Sequence, residues 1–104
     1  MAIAYRSGTS ASNATGDDVV LDKPSGTVDG DVLLAIMLRP SAATWTLPSG
    51  WAWLAAEEPF ISYTAALAGV AWKRAGASEP STYTFARTGN GSQASGAMVS
   101  YSGA

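Results

Sequence analysis

A chain of 104 residues has the length of a single domain, with enough burial for one core and little surplus. Only 13% of it is charged, about half the usual share of a soluble domain, so part of its surface is expected to be occupied by neighbours. It has no cysteine and no histidine, which excludes disulfides, thiolate catalysis and the commonest general base, and its six Lys and Arg are scattered within a net charge of −2, which excludes a phosphate-tracking basic stripe.

In chain order, residues 2–6 (AIAYR) read as a first strand and residues 7–16 (SGTSASNATG), small and polar, as a loop. This beginning lacks the charged region and long apolar run of a secretory signal. Residues 18–23 (DVVLDK) form a short strand closed by Pro24, which has no N–H for a ladder. A turn around Asp29-Gly30 follows, then seven consecutive apolar residues, Val32 to Leu38, the strongest strand signal in the chain.

Residues 41–50 read as a long loop or edge segment, and 51–58 (WAWLAAEE) as a run that Pro59 breaks. The alanines of residues 61–75 favour a helix, but the β-branched and aromatic residues and Gly69 tilt the reading to a long strand. Its longest uncharged tract, Ile61 to Trp72, is too short to cross a bilayer, so no membrane insertion is expected. Residues 76–81 are a turn, 81–87 alternate as a strand, 88–93 are a loop, and 95–103 form a last strand. The sum is seven or more strands and no secure helix: a single all-β domain over residues 1–104, an antiparallel sandwich.

The order of motifs adds a resemblance. A Gly30-Asp31 turn opens VLLAIML; P-S-G-W follows at 48–51, then Trp72-Lys73, A-G-A-S-E-P-S-T-Y-T-F at 75–85 and AMVSYSG at 97–103. In that order the pieces resemble a jelly-roll-like β-sandwich module of bacteriophage virion proteins (tail, fibre and decoration components) and of some bacterial surface proteins. Residue 79 fits as Glu, while Ser78 stands where the family's usual residue is Gly. The resemblance implies a structural or adhesive role with no transferable catalytic residue. Such modules run on for more strands after the YSG segment, whereas this sequence stops at Ala104: either this version is short, or terminal strands are missing or supplied by a neighbour.

Little in the chain invites chemistry. The D-G-D triplet at 29–31 has alternate carboxylates but no continuing calcium-loop spacing, and reads as a turn. Glu57 and Glu58 point to opposite faces of a strand, the wrong placement for an acid/base pair. No catalytic residue, metal site or cofactor is expected. The sequons N-A-T (13–15) and N-G-S (90–92) read as ordinary loops. Trp51 and Trp72 read as core, whereas Trp45, in a loop-like T-W-T context, and Trp53 are the candidates for contact with a partner or a surface glycan.

One question dominates. In the run 32–38, Val32, Leu34, Ile36 and Leu38 line one strand face and Leu33, Ala35 and Met37 the other, and both are apolar. A covering loop such as 41–50, or a neighbouring subunit, must shield the set that is not core. The expectation is an interface at Leu33, Ala35 and Met37, with the reverse assignment of the two faces left open, in a homo-oligomer or against other virion proteins, assembled in the host cytoplasm. A carbohydrate-binding or adhesive module using exposed aromatics is the alternative.

Overall fold

The computed structural model describes residues 2–13, 18–40, 43–54, 57–60, 63–89 and 94–103; the described residues form nine strands and no helix. The strands are β1 (Ala4–Asn13), β2 (Val19–Asp22), β3 (Val32–Pro40), β4 (Ala43–Thr46), β5 (Ala52–Trp53), β6 (Glu58–Phe60), β7 (Tyr63–Arg74), β8 (Thr82–Gly89) and β9 (Ala94–Ser102). A larger sheet runs β1-β9-β3-β7-β5, with β6 also on β7, and a smaller sheet runs β2-β8-β4. Every pairing is antiparallel. The fold is an antiparallel β-sandwich, as the spacing of short strands and turns implies.

The inner faces meet in one core. Leu33, Ala35 and Met37 of β3, Ala71 of β7 and Met98 of β9 pack against Val19 and Leu21 of β2 and Tyr83 and Phe85 of β8. Large and small residues interlock across the gap. A Cβ at Gly96 would lie 2.7 Å from Met37 Sδ and 3.3 Å from Leu21 Cδ1, so the missing side chain makes room for both. Trp51 meets Tyr83 and Phe85 edge-on, each at 5.3 Å between ring centroids, and Trp45 meets Phe85 at 6.5 Å.

This packing corrects the face assignment of β3. Leu33, Ala35 and Met37, expected at an interface, are fully buried core, while Val32, Leu34 and Leu38 are half-buried and Ile36 is 46% exposed. The choice is made by the opposing sheet. Flexible Met37 and small Ala35 fit the inner surface beside Gly96 and Leu21, and a strand's period of two sends the other set outward.

Trp45 needs the same correction. It is only 6% exposed, because the T-W-T stretch is not loop but strand β4, with Thr44 and Thr46 outward and the indole inward. Trp53 is half-buried with its ring over Gly69: a Cβ there would lie 2.8 Å from Trp53 Cζ3. Trp51 is core, as read from the sequence, but Trp72 is half-buried and pairs across to Leu34 and Ala52 on the outer side of the larger sheet.

The expected loop at 7–16 is strand as far as Asn13. Ser7 to Asn13 have little apolar character of their own and are held by the ladder to β9, with Thr9 Oγ1 donating to Asp22 O at the end of β2 and Ser7 Oγ to Ser25 O in the turn beyond it. Thr88 and Gly89, also expected as loop, end β8. Of the sequons, Asn13 ends β1, and residues 14–15 and 90–92 lie outside the described residues.

Candidate interaction surface

Most acidic groups whose side chains are described serve the fold. Gly30 takes φ 92°, the left-handed conformation the 28–31 turn requires. The buried Asp31 closes that turn: Val28 N–H donates to its Oδ2 at 2.9 Å, and Arg6 Nε lies 2.6 Å from the same oxygen. Burial pushes the Asp31 carboxyl upward, but the Val28 N–H and the Arg6 guanidinium outweigh it and hold the group below its ordinary range.

Glu79 organises the 76–79 turn in the same way. Its Oε1 accepts from Tyr83 O–H at 2.7 Å and lies 3.0 Å from Lys73 Nζ, while its Oε2 accepts from Gly76 N–H at 2.8 Å. Burial again acts upward, and these three partners hold the carboxyl below its usual value. Burial and the Glu79 charge raise the Tyr83 phenol far above its ordinary value. Glu57 pairs with Arg39 Nε at 2.6 Å. Among the described residues no three acidic side chains gather where a metal could be held. These carboxylates are structural in their geometry, each satisfied by a cation or a backbone N–H.

The outer face of the larger sheet is different. Antiparallel register places its side chains in four rows across the strands. At one end stand Tyr5, Tyr101, Val32 and Arg74, and the two tyrosine rings meet edge-on at 5.8 Å. The second row is Gly8, Val99, Leu34, Trp72 and Ala52. The third holds Ser10, Ala97, Ile36 and Val70, and the fourth Ser12, Ser95, Leu38, Ala68 and, from β6, Glu58. Two charged residues stand in these rows, Glu58 at the β6 end of the fourth and Arg74 at a corner of the first, where it donates to Gly30 O at 3.0 Å.

The relief of this face is uneven. The row of tyrosines is a ridge, and Tyr5 is 60% exposed. At the opposite end the small residues of β1 and β9, Ser10, Ser12, Ser95 and Ala97, leave an open groove of about 530 Å³ beside Ile36 and Leu38. The outer face of the smaller sheet shows what a solvated face of this protein looks like. Thr44, Thr46, Thr82 and Thr84 are exposed there with Asp22, and Val20 is the one large apolar side chain among them.

No family model, curated protein or solved structure matches the chain. The surface must speak for itself. Among the described residues no three acidic side chains converge on it; what it offers is apolar area, whose removal from water favours association. The expected cover from 41–50 is not there in its described part: residues 43–46 pair with β8 in the opposite sheet. Sequence reading nominated Trp45, Trp53, Leu33, Ala35 and Met37, and the structure turns all five toward the core side. The outward residues Leu34, Ile36, Val70 and Trp72 were signalled only collectively, by strands apolar on both faces.

Proposed function

We propose that this protein is a non-enzymatic structural subunit that works through subunit contacts made by the outer face of its larger sheet, in a bacteriophage virion as a head decoration or a tail or fibre component. The observation that carries the subunit role is the contrast between the two outer faces. One is threonine-rich, and the other presents Leu34, Ile36, Val70 and Trp72 without a charge among them. Soluble monomers rarely leave so continuous an apolar patch in water. The virion setting rests on the order of motifs from Gly30-Asp31 to the YSG segment at 101–103.

Two measurements test it. In purified particles from the phage that encodes it, the chain should co-sediment with the virion and appear at a fixed, symmetric copy number. Absence from the particle would overturn the virion setting. Incubated with glycans and peptides, the protein should give background hydrolysis, and Glu57→Gln should leave that background unchanged; a turnover lost on that substitution would overturn the non-enzymatic reading.

A further inference from the structure

The outer face has a partner that can be argued from its own shape. Resting on the subunit reading above, we propose that it docks on the same face of a second copy of this chain, about a two-fold axis lying in the interface and running across the strands. The area suffices. Five strands at ~4.8 Å and four rows at ~6.7 Å give a footprint on the order of 600 Å² per copy, so two copies clear the roughly 1,000 Å² needed for a specific contact.

The electrostatics allow it too. The molecule has a net charge of −2, but the four rows hold one acidic position, Glu58 at the β6 edge, and reversing the rows sets it beside the Arg74 corner of the other copy rather than against its own equivalent. Arg74 is at the edge, where its charge stays wet.

Shape selects the axis. A two-fold running across the strands keeps each strand over its own copy and reverses the rows. Tyr101 of one copy then lies over Ser95 of the other, and Tyr5 over Ser12, so each aromatic ridge enters the opposite groove. Leu34 meets Ile36 near the axis. A two-fold along β3 would instead keep each row over itself and reverse the strand order, setting Tyr101 against Arg74 and the groove against Val70 and Ala68, away from either tyrosine. Interlocked ridges and grooves recover the packing density that apolar contacts require.

Sedimentation equilibrium of the full chain, from micromolar to millimolar concentration, tests this with two equally exposed sites. Ile36 and Val20 are each 46% exposed, on the larger and smaller sheet respectively. The wild type should dimerise. Ile36→Lys places two charges beside the axis and should weaken the dimer by roughly a hundredfold or more, with the circular-dichroism spectrum unchanged. Val20→Lys should leave the dimer intact.

A second measurement reads the axis. The chain has no cysteine, so Ser95→Cys and Tyr101→Cys each introduce a unique thiol. Under mild oxidation, a mixture of the two variants should cross-link as a heterodimer, while Ser95→Cys alone should not. A wild type that stays monomeric throughout, a dimer indifferent to Ile36→Lys, or a Ser95→Cys homodimer would overturn the proposal. Monomeric wild type that still incorporates into virions would overturn only the second-copy occupant and leave the subunit role standing. Failure of both measurements would remove both.

Discussion

The assignment of faces on β3 can be tested by removing the same atoms from neighbouring residues. Leu33→Ala takes three carbons from a fully buried side chain enclosed between the two sheets. At about 0.8 kcal/mol per buried methylene the transfer loss is ~2.4 kcal/mol, and the cavity left behind raises the cost to about 3–4 kcal/mol. Leu34→Ala removes the same three carbons from a half-buried position on the outer face, where water fills the space, and should cost under about 1 kcal/mol. Against a total of ~5–15 kcal/mol for a domain, the first change is severe and the second mild. Urea unfolding followed by circular dichroism should give midpoints well separated at equal slope, measured at concentrations low enough to keep each variant monomeric. Equal losses at Leu33 and Leu34 would refute the reasoning, since they would mean that another part of the chain covers the outer face.

Gly69→Ala should destabilise the fold by about 1–2 kcal/mol: the new Cβ would sit 2.8 Å from both Trp53 Cζ3 and Glu57 Cγ, and this overpacking exceeds the gain of ~0.5–1 kcal/mol from stiffening the unfolded chain. Adding Trp53→Leu should recover part of that loss in the same urea assay, and no recovery would show that the ring is not what resists. Asp31 and Glu79, whose ordinary values are 3.8 and 4.5, are both held lower in the fold, so the unfolded chain binds protons first as the medium is acidified. Their contribution is therefore complete above those values and lost as pH falls through the lower folded ones: the urea midpoint should be flat near neutrality and drop below about pH 4.5, with Asp31→Asn flattening the drop, and a midpoint unchanged down to pH 3 would contradict these pairings.

Much of the fold is legible in the sequence because its elements announce themselves locally. The 81–87 stretch alternates, the apolar runs of β3 and β7 have strand chemistry, and Gly30 marks the turn its backbone demands. The second half of β1 is not legible, because Ser7 to Asn13 have no continuous apolar stripe and become strand only by pairing with residues some ninety positions away. Trp45 misleads for a different reason: a tryptophan between threonines is the minimal period-two pattern, too short to stand out from a loop. The interaction surface is half legible. That both faces of β3 are apolar is plain, but which one meets the core depends on Leu21 and Gly96, residues far along the chain in other strands.

The place of β9 in the larger sheet has a kinetic consequence. It lies between β1 and β3, and its Ser102 pairs with Ala4 across nearly the whole described chain. On a ribosome, β3 is complete roughly sixty residues before β9 has emerged, an interval on the order of several seconds. During that interval β1 lacks its ladder, β3 has an open edge, and the core lacks Met98. The β3–β7 pair can form first, with β5 and β6 beside β7, but it waits with apolar residues on both faces and no strand at the β3 edge. The larger sheet is therefore completed late, when residues 94–102 insert between β1 and β3. Until then the open β3 edge is exposed to unwanted pairing, and sequence changes that slow insertion of this strand should lower yield before they measurably lower stability.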